Sequence, residues 1–126
     1  MFGDVWRWAG TYRTTDRNIG IDPAQIGPAM RLLIDDARYW VEHGTYPRDE
    51  LAVRFHHRLV AIHPFSNGNG RISRLMADLL VVRRGGERFT WGQATLLKGE
   101  TRSRYIAALR AADDHDLALL VAFARS

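Results

Sequence analysis

Apolar residues recur at three- and four-residue steps along most of the chain, the period of an α-helix with one buried face. Ile26, Met30, Leu33, Ala37, Trp40 and Val41 mark the first such run. Asp22-Pro23 supplies a capping side chain with proline at the first helical position, and Gly44 stops the helix after about His43. Tyr46-Pro47 opens a second helix with Leu51, Phe55, Leu59 and Ile62 on its apolar side. It must stop there, because His63 precedes Pro64 and a residue before proline is pushed out of helical geometry. Residues 63–70 read as a loop rich in Gly and Asn. From Arg71 the pattern is helical again, with Ile72, Leu75, Met76, Leu79, Leu80 and Val82 ending at Gly85-Gly86. A connection bearing Phe89 and Trp91 leads to two last helices, about 100–112 and 116–125, with Asp114 or Asp116 as the cap between them.

The front of the chain is different. Residues 2–11 are dense in Trp and Gly and suggest a short helical turn capped near Gly10. Residues 12–21 mix β-branched and turn residues and predict a small hairpin bending around Asp16–Asn18. The expected fold is all-α with one small hairpin. With 126 residues and neither repeat nor linker, one domain is expected from end to end. The absence of cysteine removes disulfides, thiolate metal sites and a cysteine nucleophile from consideration. No run approaches the length of a membrane span. Met1-Phe2-Gly3-Asp4 has neither the basic nor the apolar stretch of a leader, so a cytoplasmic protein without membrane partners is expected. The net charge is +4, and Lys98 is the only lysine among 18 basic residues. The arginines are scattered and interspersed with acids, which favours a solvated surface over a nucleic-acid partner.

Chemistry concentrates in His63-Pro64-Phe65-Ser66-Asn67-Gly68-Asn69-Gly70-Arg71-Ile72-Ser73-Arg74. Two glycines let backbone N–H groups turn toward a ligand, and the following helix begins with unpaired N–H groups and the positive end of its dipole. Arg71 and Arg74, three residues apart, lie on one side of the first turn and offer fork-shaped donors to phosphate oxygens. His63 stands at the rim, with an imidazole suited to take a proton from a hydroxyl at neutral pH. Such a set suits phosphoryl or nucleotidyl transfer. A helix stop followed by an ordinary Gly–Asn loop accounts for the same residues equally well. A P-loop is excluded because no lysine follows either glycine, and a dinucleotide fingerprint because the preceding segment is helical.

The segment resembles the signature of the Fic family, His-Pro-Phe-x-Asp/Glu-Gly-Asn-Gly-Arg-x-x-Arg, at every fixed position but one. The similarity extends to Phe2 through Arg13 and to Arg102 through Leu109. Within the family it looks closest to the bacterial branch named mobile mystery protein B, which also carries Asn in the motif. The resemblance implies a Fic-type helical bundle that transfers AMP from ATP to a Ser, Thr or Tyr hydroxyl of a target protein. On that basis His63 is the general base. Gly68, Asn69 and Gly70 hold the α- and β-phosphates. Arg71 and Arg74 hold the β- and γ-phosphates. Pro64 and Phe65 anchor the loop. Thr14, Thr15, Asp16, Arg17, Asn18 and Ile19 form the flap that registers the target, and Tyr105 is either on the adenine side of the pocket or core.

Asn67 stands where the family usually has the Asp or Glu that ligates Mg²⁺, so it implies a weaker metal ligand or a different phosphate-containing donor. The family's inhibitory Ser/Thr-x-x-x-Glu-Gly/Asn helix has no counterpart around Glu42, Glu50, Glu87 or Glu100. Control then falls to an N-terminal segment preceding this core or to a separate inhibitory protein, with the former favoured. Other readings are a transferase of a phosphoryl, phosphocholine or other nucleotide group, and a catalytically weak module that binds protein or nucleic acid. His56 shares a helix face with His63 but is expected to be a satisfied core histidine. Asp113, Asp114 and Asp116 are expected to cap. Trp6, Trp8, Trp40 and Trp91 are expected to pack in the core and hairpin.

Overall fold

The computed structural model describes residues 12–14, 20–65, 68–93 and 98–126, which are helical with no strand among them. The Asp22 side chain accepts from Ala24 N at 3.0 Å and caps a single 3-10 turn, Pro23–Gln25, that runs into α1, Ile26–His43. Helix α1 buries Ile26, Met30, Leu33 and Ala37, and ends on Gly44 in left-handed geometry (φ 58°). Next come α2 (Arg48–Ile62), α3 (Asn69–Arg83), α4 (Lys98–Asp113) and α5 (Ala118–Ala124).

Helix α2 is the centre. Leu51, Ala52, Val53, Phe55, His56 and Leu59 are all fully buried, on more of the helix circumference than one stripe, because α1, α3 and α5 all pack against it. The pairing with α3 is the most extensive, bringing Ile72, Met76, Ala77, Leu80 and Val81 into the same core. Helix α4 packs on α5. Among the described residues no helix is long and apolar enough to cross a membrane.

Three boundaries differ from the periodicity. Helix α3 starts at Asn69, two residues before Arg71, because Gly68 (φ 74°) turns the chain into it and the Asn69 side chain closes the preceding loop. That amide accepts from Phe65 N at 2.9 Å and donates to Phe65 O at 2.7 Å. Helix α5 is shorter than expected at both ends. Its cap is Asp116, which accepts from Ala118 N at 3.1 Å, whereas Asp113 turns away to His57. The expected turn at 2–11, with Trp6 and Trp8, lies outside the described residues, as does the hairpin tip at 15–19. Trp91 is buried, and Trp40 meets Tyr46 edge-on at 5.4 Å.

The connection between α3 and α4 is held by one buried carboxylate. Asp78 accepts from Phe89 N and from Trp91 Nε1, both at 3.2 Å, and burial pushes its pKa up while those two donors pull it down. Arg125 then closes the chain end: it forms a forked pair with Asp49 at 2.8 and 2.7 Å, donates to Glu87 O and Arg88 O, and lies over the Phe89 ring. Asp78→Ala leaves two buried donors unpaired, and is expected to lower unfolding free energy by about 3 kcal/mol. Urea denaturation of the variant measures this; a midpoint unchanged from the parent would refute the assignment.

Candidate functional site

Helix α2 ends at His63, whose backbone is left-handed (φ 51°, ψ 60°) while its N–H still bonds Leu59 O at 3.1 Å. The pre-proline position forbids another helical residue, and the reversal is then held from outside. Arg13, only 2% exposed, donates through Nε to His63 O and through Nη2 to Ile21 O and Ile62 O, the last at 3.3 Å. Its own N–H bonds Pro64 O at 2.8 Å, and Ile21 N reaches Ile62 O at 3.4 Å. Both ends of the segment that contains residues 15–19 are thus tied to the end of α2. Gly20 (φ 91°) completes the contact: a Cβ there would lie 2.7 Å from His63 Cβ and 2.9 Å from Ile62 O. Only glycine fits.

Phe65 is buried and places its ring 5.9 Å from Tyr12, fixing the other side of the turn. Beyond it α3 begins. Its first intrahelical bond runs from Ile72 N to Gly68 O at 3.0 Å, so the N–H groups of Asn69, Gly70 and Arg71 have no acceptor inside the helix. Both arginines fold back over this turn. Arg71 Nη2 lies 3.3 Å from where a Cβ on Gly68 would be, and Arg74 Nη1 lies 3.2 Å from the same point on Gly70. The two glycines make room for the guanidinium groups. Three backbone donors, a helix dipole and two arginines form a cationic cradle that suits a polyphosphate.

Two clefts open from this cradle, each of a size usual for small-molecule sites. One, about 420 Å³, is mostly apolar and joins His63, Asn69 and Gly70 to Gly20, Val60, Ile106 and Leu109. At its edge His57 Nε2 and Asp113 Oδ1 are 2.8 Å apart. The other, about 550 Å³, is bounded by Arg74, Arg102, Thr101, Gln93, Trp91 and Phe123. Tyr105 borders both. Its hydroxyl accepts from Arg74 and sits 2.8 Å from His56 Nε2. Burial raises the Tyr105 pKa, against the opposing charge and hydrogen bond of Arg74. His56 is completely buried, and desolvation brings its pKa from 6.5 down to about 4; the Ser73 backbone opposes that shift, and Arg74 and His57 add to it. Among the described residues no three His, Cys, Asp or Glu side chains gather to hold a metal ion.

The Fic/DOC family model matches residues 1–81, which include His63 through Arg74. The chain belongs to the Fic/DOC family. Protein adenylyltransferase fic-1 of Caenorhabditis elegans is 35% identical over 112 residues, 86% of this chain and 21% of that protein. Protein adenylyltransferase Fic of Drosophila grimshawi is 31% identical over 121 residues, 90% of this chain and 23% of that one. The chain therefore spans about a fifth of the length of these curated relatives. Among solved structures, a Fic-1 fragment of C. elegans superimposes with a TM-score of 0.65 at 30% identity, covering 90% of this chain and 32% of that one. A Fic domain containing signaling protein of Bacteroides thetaiotaomicron gives 0.74 at 23% identity over 90% of this chain and 49% of its own, a likeness of fold.

Within the Fic motif, His63, Gly68, Gly70, Arg71 and Arg74 converge on one turn, with Pro64 and Phe65 buried beneath it. The Asn69 side chain is consumed by Phe65, so only its backbone faces the cradle. Asn67 lies outside the described residues, as do Thr15, Asp16, Arg17, Asn18 and Ile19; Thr14 is described and exposed. The helix-face argument for His56 fails, since His63 has left the helix: His57 shares the cleft with His63, while His56 faces the core. Sequence reading missed the structural role of Arg13 and the pairing of Asp113, whose partners lie about fifty residues away.

Because His56 takes a proton more readily unfolded than folded, stability is intact above about pH 6.5 and falls as pH drops toward 4. The expected loss is about 3 kcal/mol. Urea midpoints measured between pH 7 and 4 should show this slope, and His56→Gln should flatten it.

Proposed function

We propose that this chain is the catalytic core of a protein adenylyltransferase, moving AMP from ATP to a hydroxyl side chain of a target protein. The observation that carries the reading is His63, fixed in left-handed geometry beside the N-terminus of α3, where Arg71 and Arg74 fold over Gly68 and Gly70. The printed activity of the relatives agrees with it. In this reading the backbone N–H groups of Asn69, Gly70 and Arg71 and the two guanidinium groups hold the phosphates. His63 takes the proton of the target hydroxyl as its oxygen bonds the α-phosphorus; the bond from that phosphorus to the bridging oxygen breaks, and pyrophosphate leaves with its charge spread over Arg71 and Arg74.

The apolar cleft beside His63 suits the nucleoside, and the cationic cleft beyond Arg74 suits the far phosphates. Residues 14–19 are the proposed flap, held at its base by Arg13 and Gly20 and offering its edge to a target segment by strand addition. Residues 1–126 act as one Fic core, controlled by a preceding segment or by a separate inhibitory partner. Mg²⁺ would neutralise phosphate charge, and Asn67 would contribute one neutral oxygen where an acid binds more strongly. That departure also supports a second reading, transfer from another phosphate-containing donor.

Incubation with α-labelled ATP, Mg²⁺ and a cell lysate should label a protein, and His63→Ala should reduce the label at least about 10²-fold. Label from γ-labelled ATP alone would instead mean phosphorylation. No transfer from any donor, together with steeply salt-dependent DNA binding, would identify a binding module. Asn67→Asp should lower the Mg²⁺ concentration for half-maximal labelling several-fold; an unchanged requirement would remove Asn67 from the metal's shell.

A further inference from the structure

Helices α2, α3 and α4 meet at one oxygen, the hydroxyl of Tyr105. Arg74 leaves α3 with its guanidinium against Gly70, and lines the larger cleft on its other side. An arginine side chain has many rotamers, and one bordering 550 Å³ of open space needs a stop to stay over the helix start. Tyr105 is placed to be that stop, because its oxygen accepts from Arg74. The tyrosine in turn cannot move: its ring packs on Phe123 at 5.3 Å, and its oxygen is 2.8 Å from His56 Nε2. His56 is completely buried and rests on Trp91 at 4.6 Å. Since the Tyr105 oxygen accepts from Arg74, its own proton points to Nε2, and the imidazole proton lies on Nδ1, the side of the Ser73 backbone.

We propose that Tyr105, seated on His56, is a positioning residue for Arg74, fixing its guanidinium over the first turn of α3 and so favouring donors with phosphates beyond the α-phosphate. This rests on the nucleotide reading above. Tyr105 touches phosphate in no step; it acts through the arginine.

Binding of ATP and of AMP, each with Mg²⁺, is measured by calorimetry for the parent chain, Tyr105→Phe, Arg74→Ala and the double variant. Tyr105→Phe removes one oxygen and keeps the ring packed. It should weaken ATP binding about tenfold while leaving AMP binding and the urea midpoint unchanged. In the Arg74→Ala background it should cost nothing more. If Arg74→Ala weakens ATP binding but Tyr105→Phe does not, or if the Tyr105→Phe loss persists without Arg74 or extends equally to AMP, the positioning role is overturned and the nucleotide reading stands. If ATP binding is indifferent to Arg74→Ala, both are overturned.

Discussion

One buried guanidinium ties the front of this chain to its chemistry. Arg13 donates to the carbonyls of Ile62 and His63, the last turn of α2, and to that of Ile21, just past the segment 15–19. Those helix-end carbonyls have no acceptor role left inside the helix and would otherwise be stranded in a region closed by Phe65 and Tyr12. By filling that need the arginine sets two things together: where the chain reverses at His63, and where the stem of the proposed flap lies against it. Gly20 makes the contact tight, since any side chain there would push the stem off His63.

From that fixed point the site is assembled by helix ends. The carboxyl end of α2 presents His63, and the amino end of α3 presents unpaired donors and two folded-back arginines. Positive charge is thereby concentrated on one turn, and carboxylates are kept away from it. Asp78 is spent on Phe89 and Trp91, Asp49 on Arg125, and Asp36 on Arg58. The acids do structural work elsewhere, and the cradle keeps its attraction for anions.

The helices were legible because each has a run of apolar residues at helical spacing, and their ends because Gly44, Pro64 and Gly85 leave little choice. The start of α3 was misread by two residues. Gly and Asn favour loops on local grounds, and what overrules them is a side-chain clasp between Asn69 and Phe65 that local propensity does not contain. The motif from His63 to Arg74 was visible as a string of residues, and the structure adds that both guanidinium groups fold onto its glycines. Tyr105 could be read as core or as a nucleotide contact; its partners His56 and Arg74 come from two other helices, and no spacing in the chain announces them. Asp113 read as a cap because it stands between two helices, yet it serves His57 across the cleft.

The left-handed backbone at His63 bears on how such a site decays. Apart from Gly, Asn and Asp, most residues cost about 1–2 kcal/mol in that conformation. Drift away from histidine at this position therefore weakens the fold along with the chemistry in most cases. A silent descendant of this chain should more often carry a small amide or glycine there than a hydrophobe.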